Sequence, residues 1–143
     1  MFRINKDIEY ALLALRAMDQ DRRVFSAREL SDRLNIPAGI LSKILQRLSH
    51  AEVIVSVQGQ KGGYRLEQSG DQVTVGIVID AVHGSERIVA CMEEPGSCDQ
   101  LDTCTIRHSF EVVQGMWLQF LSSLTLRRFA EIDGDRQPAG AGT

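Results

Sequence analysis

The sequence predicts a mostly α-helical chain with one small β-hairpin: a winged helix-turn-helix followed by a long C-terminal helix suited to dimerisation. Three observations carry this. Two short helical patterns are joined by a tight turn, a β-branched run with a glycine-rich tip follows them directly, and a heptad-spaced apolar stripe occupies residues 106 to 124. All three cysteines, Cys91, Cys98 and Cys104, fall between the hairpin and the stripe.

The first helix is predicted from an Asn5 cap to about Asp19, because an Asn side chain accepts orphan amide protons and Asp7 and Glu9 suit the positive end of the dipole. Its apolar residues cover most of the circumference, so burial is expected, with Glu9 and Arg16 forming a narrow polar stripe. Ser26-Ala-Arg-Glu29 is a capping box that opens a second helix running to about Leu34. Pro37, expected at the first helical position, opens a third through Ile40, Leu41, Ile44, Leu45 and Leu48 on one face. Its opposite face carries Ser42, Lys43, Gln46, Arg47 and Ser49, a polar and basic surface that suits a recognition helix. The plainer reading of this pair is a helical hairpin with a solvated face.

Val53 to Val57 and Tyr64 to Leu66, joined by Gly59-Gln-Lys-Gly-Gly63, then read as a hairpin whose glycines permit positive φ and close backbone approach to a partner. With this wing in place, Arg28, Ser42, Lys43, Gln46, Arg47 and Lys61 are the candidate DNA contacts. The glycine cluster lacks the Gly-Lys-Ser/Thr ending of a P-loop, which excludes nucleotide hydrolysis of that type. The charge agrees with this division: residues 1 to 65 hold eleven Lys or Arg against seven Asp or Glu, whereas residues 66 to 143 hold five against twelve. A basic half suits a polyanion, since neutralised phosphates release counterions. The acidic half must face elsewhere.

Val73 to His83 reads as an amphipathic helix ended by Gly84, and a polar loop with the cysteines at C-x6-C-x5-C follows. Thiolates are soft donors that select zinc, copper(I) or iron–sulfur clusters, so this loop is a candidate metal centre. His108, four residues past Cys104, is a further candidate ligand. An odd cysteine count without a signal-peptide-like N-terminus argues for a reducing, cytoplasmic setting, and no run is apolar enough to span a membrane. From Thr105 a long helix carries Ile106, Phe110, Val113, Trp117, Phe120 and Leu124, a seam expected to pair with a symmetry mate. Val112, Met116 and Leu121 lie beside it and are expected to pack within the chain. A short helix is expected from Leu124 to Ile132. The predicted organisation is 1–84 winged helix-turn-helix, 85–104 cysteine loop, 105–132 dimerisation region and 133–143 disordered tail.

The recognition-helix pattern I-P-A-G-I-L-S-K-I-L-Q-R-L at 36–48, the wing V-x-G-x-x-G-G-Y at 57–64 and the three following cysteines together resemble the iron–sulfur winged-helix regulators typified by IscR and NsrR. The likeness covers residues 1 to about 124. It implies a homodimer on a palindromic double-stranded operator, not an enzyme. It further implies a [2Fe-2S] or [4Fe-4S] cluster held by Cys91, Cys98 and Cys104 plus a non-cysteine ligand, responding to nitric oxide, redox state or iron supply. That ligand is Glu9 from the partner subunit or, alternatively, His108. Two other functions stay open from the residues: a winged-helix regulator with a structural zinc at Cys91, Cys98, Cys104 and His108, and a thiol-based redox protein, disfavoured by the lack of a C-x-x-C pair.

Overall fold

A computed structural model describes residues 4–84, 87–92, 94, 96 and 98–134. Helix α1 (Lys6–Asp21) begins where the Asn5 side chain accepts the Ile8 amide proton at 3.2 Å, and it ends at Arg22 in the left-handed conformation. Its faces are unequal. Ile8, Ala11, Leu12, Ala14, Leu15, Ala17 and Met18 are buried, while Lys6, Glu9, Leu13 and Gln20 form an exposed outer stripe.

Helices α2 (Ala27–Leu34) and α3 (Ala38–His50) form the helix-turn-helix. Ser26 caps α2 by accepting the Glu29 amide at 3.1 Å, and the Glu29 carboxylate, turned back toward the Ser26 backbone, is also paired with Arg23. In the turn, Asn35 takes the left-handed conformation and the Ser31 hydroxyl donates to the Ile36 carbonyl at 2.6 Å. Pro37 is the cap of α3 and lies one residue outside the helix. Leu41, Ile44, Leu45 and Leu48 pack inward, whereas Ile40, expected on the same face, is exposed.

Strands β1 (Ile54–Val57) and β2 (Gly63–Leu66) pair antiparallel, with Ile54 opposite Leu66 and Val57 opposite Gly63. Phe25 adds a one-residue bridge to Tyr64, exchanging both backbone hydrogen bonds at 2.8 and 2.7 Å. Gly63 is required there: a Cβ would lie 2.1 Å from the Phe25 carbonyl oxygen. The close approach that this glycine permits is therefore internal, and it anchors the wing to the start of α2.

Helix α4 (Val75–His83) is capped by Thr74 and ends at Gly84 with φ 85°. A single 3-10 turn (Ala90–Met92) holds Cys91, and the helices α5 (Arg107–Ser123) and α6 (Leu126–Gly134) close the described chain. One continuous core joins α1, α3 and α4 to the hairpin and to Leu121 and Leu126. Burying each of those two leucines contributes roughly 1.5–3 kcal/mol. A second seam is polar: Asp19, mostly buried, accepts from the Gly70 amide at 3.0 Å and pairs with Arg22 and Arg127, each at 3.3 Å. Strand-like bonds from Val75 to the Leu124 carbonyl and from Leu126 to the Val73 carbonyl complete the attachment of the α5–α6 corner.

Two expectations for the C-terminal region change. Residues Asp133 and Gly134 belong to α6, and Asp133 pairs with Arg16 at 3.3 Å, so the segment expected to be a tail starts in a helix; residues 135–143 lie outside the described residues. On α5, Val112 and Met116 do not pack within the chain: they are exposed, and Gln114, Trp117 and Leu121 face α4 and the core instead. The helix turns about 100° per residue, so positions 114, 117 and 121 share a face from which 112 and 116 point away.

Candidate functional site

The expected DNA-contacting side chains stand mostly free on the surface. Arg28, Lys43, Gln46 and Lys61 are exposed and Ser42 is half-buried. Ile40, Lys43 and Arg47 follow one another along α3 at spacings of three and four, so the outer stripe of this helix mixes one apolar and two cationic residues. Arg47 also has a structural task. Its guanidinium donates to the Val82 carbonyl at 3.2 Å and lies 3.9 Å from Asp7, holding the C-terminal end of α4, where a cation complements the dipole. Lys61 stands in the hairpin tip beside Gly59, whose φ of 114° suits only glycine and whose surroundings are open.

Cys91, Cys98 and Cys104 are free thiols, each half-buried. Among the described residues no group of three His, Cys, Asp or Glu side chains is assembled closely enough to hold a metal ion. The thiols thus share one loop without forming a closed ligand set. Cys91 is the best defined: it lines a cavity of about 310 Å³ with Arg87, Met92, Arg107, Glu111 and Gln114. Arg107 pairs with Glu111 at 3.1 Å along the wall of this cavity. Gln114 is a polar residue off the heptad seam. It is in fact buried, 4% exposed, and its side-chain oxygen accepts the Ile88 amide proton at 2.7 Å. A glutamine flanked by apolar heptad positions was the signal available.

The two candidates for a further ligand sit in different surroundings. His108 is 87% exposed and its Nδ1 lies 3.7 Å from Glu111. Glu9, expected on a largely buried helix, has a side chain 49% exposed and accepts from Lys6 at 2.7 Å; this bond raises the Lys6 ammonium above its ordinary pKa. Packing gives the reason: α1 buries the face centred on Ala11 and Leu15, and position 9 falls on the polar stripe opposite. There Glu9 edges a groove of about 270 Å³ formed with Leu12, Leu13, Arg16, Leu126, Phe129 and Ala130.

The heptad seam is divided. Phe110, Trp117 and Leu124 are half-buried, while Ile106, Val113 and Phe120 are exposed. With Val112 and Met116, the latter 64% exposed, these three form a broad apolar face along α5. Among the described residues no helix is long and apolar enough to cross a membrane.

Comparison with known proteins agrees with this architecture. A putative helix-turn-helix transcriptional regulator of Aquifex aeolicus is 27% identical over 130 residues, covering 88% of this chain and 90% of the relative. The transcriptional regulator IscR of Sodalis glossinidius is 34% identical over 98 residues, 68% of this chain but 59% of that protein's length. Among solved structures, CymR, the global cysteine regulator of B. subtilis, superposes with a TM-score of 0.71 at 20% identity, over 92% of this chain and 98% of its own. The Rrf2 family model, described as an iron-dependent transcriptional regulator, matches residues 4–132. The winged helix, the helical majority and this match together identify the chain as a member of the Rrf2 family of transcriptional regulators, and not as an enzyme.

Proposed function

We propose that the chain acts as a homodimer on a palindromic DNA operator, with binding controlled by an iron–sulfur cluster at the cysteine loop. The observation that supports this reading best is the placement of three free, half-buried thiols between the winged helix and an exposed apolar helix. The donor set fits such a group. Thiolates are the usual cluster ligands, none is tied up in a disulfide, and Arg87 beside Cys91 offsets part of the negative charge that thiolates bring together, Arg107 being paired with Glu111. Cys91, Cys98 and Cys104 would hold it. Glu9 of the partner subunit is the preferred further ligand, because its groove opens outward, and His108 is the alternative. When bound, the cluster supplies a centre sensitive to nitric oxide, oxidation and iron supply.

The chain's own residues supply the readout. The loop joins the end of α4, held by Arg47, to the start of α5, and α5 presents Val113, Met116 and Phe120 to a second copy. In a twofold dimer the two recognition helices must meet half-sites about 34 Å apart, so a modest change in how the loop seats against α5 alters the match. Lys43 and Lys61 contact phosphates, and Ser42, Gln46 and the outer side of Ile40 face base edges, with Arg28 at the margin. Such a regulator works in the cytoplasm, where thiols stay reduced.

Purification without air, followed by visible absorption and iron and sulfide analysis, tests the reading. A brown protein whose chromophore is lost in Cys98→Ala is expected. A colourless protein carrying one zinc per chain would replace it with the structural zinc site, and a metal-free protein with a reversible disulfide would favour the thiol redox alternative.

A further inference from the structure

Burying a side-chain amide is unfavourable unless its hydrogen bonds are made. Gln114 is the buried polar side chain of the described core, on a helix face otherwise built of Trp117 and Leu121. A leucine would fill that position with less penalty. What the glutamine adds is an acceptor, and the acceptor is used on the Ile88 amide at 2.7 Å, three residues before Cys91. The turn that follows is closed by its own bond, from the Met92 amide to the Val89 carbonyl at 3.0 Å. Cys91 is therefore placed against α5 through two successive hydrogen bonds, and the same cavity is walled by Arg107, Glu111 and Gln114, spaced four and three along the helix.

We infer that Gln114 is a latch: a positioning residue that holds the Cys91 turn on α5, so that Cys91 is the ligand placed first and any change at the cysteine loop is passed to the dimer-forming helix. The inference rests on the cluster reading for its consequence, but the latch has its own signature. Because α5 carries its exposed face at Val113, Met116 and Phe120 and its latch at Gln114, movement of the turn and reorientation of the interface act on one rigid element.

The test uses the full chain with Gln114→Leu, which removes the acceptor, and Gln114→Glu, which keeps it. Two quantities are measured: decay of the reconstituted chromophore in excess chelator, and hydrogen exchange at the Ile88 amide. The Leu variant is expected to lose its chromophore and exchange the Ile88 proton roughly 5- to 10-fold faster, the population change that accompanies loss of one hydrogen bond. The Glu variant is expected to restore both most of the way toward the unsubstituted protein. Unchanged decay in the Leu variant, or a Glu variant no closer to the unsubstituted protein than Leu, overturns the latch. If the unsubstituted protein holds no chromophore at all, the cluster reading fails and exchange alone decides: faster in Leu and restored in Glu supports the latch, and no change removes it.

Discussion

Glu29 shows how one residue can carry a recognisable local signal and still be claimed by a longer-range partner. It occupies the position of a capping box and its carboxylate also binds Arg23; the Arg23 bond first, and the Ser26 backbone after it, hold it below the usual carboxylate range. Asp21 is lowered in the same way, chiefly by its hydrogen bond from Arg33 at 2.6 Å. Both carboxylates titrate lower in the folded chain than in the unfolded one. Their contribution to stability is therefore present above the unfolded pKa, near pH 4, and is lost as pH falls through the folded values. Denaturant unfolding between pH 6 and pH 3, conditions set on the basis of those values, should show a shallower loss of stability in Arg23→Gln with Arg33→Gln than in the unsubstituted chain; parallel curves would show that the pairs contribute nothing. Glu9 and His108 make a second residue-scale prediction. Glu9→Ala should alter the absorption and resonance Raman spectrum of the cluster more than His108→Ala, and the reverse order would move the further ligand to His108. The caps at Asn5 and Ser26 were legible in the sequence because a cap depends on residues only three apart. The polar stripe holding Glu9 was legible as well, but not its groove against α6, because that depends on which side of α1 meets the later helices.

At the scale of elements, α5 is where pattern and packing diverge most. A heptad seam specifies that a stripe will be buried, but not by what, and here one helix serves two neighbours. Trp117 and Leu121 turn toward α4, and Gly76 lets them close in: a Cβ there would sit 3.3 Å from the Leu121 backbone. That leaves Val113, Met116 and Phe120 outside. Met116→Asp or Phe120→Asp should yield a folded monomer, because neither side chain is buried in the core, Phe120 reaching it only through the Trp117 ring at 5.9 Å, while each would bury a charge in the interface, typically a loss of several kcal/mol. Sedimentation velocity and far-ultraviolet circular dichroism check this together. A dimer that survives both substitutions would put the interface on another surface. The wing is the opposite case: its hairpin was clear from Val53 to Leu66, yet its pin to Phe25 was invisible, being a contact across nearly forty residues.

The whole molecule joins a basic DNA-reading half to an acidic half, and the joints are specific. Arg47 ties α3 to α4, Asp19 ties α1 to the turn at Gly70 and to α6 through Arg127, and Gln114 ties the cysteine loop to α5. Lys43 and Lys61 are exposed, and the proposed reading makes them phosphate contacts. Lys43→Ala and Lys61→Ala should each weaken binding to all sequences alike and lower the slope of log affinity against log salt by about one. Fluorescence anisotropy over a salt series measures this, and an unchanged slope in the double variant would exclude both as phosphate contacts. The helices, the caps at Asn5 and Ser26, the wing, the cysteine spacing and the apolar stripe were all determined by the sequence itself, since each rests on periodicity or on residues a turn apart. Tertiary structure alone decided that Val112 and Met116 face outward, that Asp133 belongs to a helix paired with Arg16, and that Gln114 is buried. Those outcomes depend on which surfaces meet, and a burial pattern along one chain carries no record of the partner that covers it.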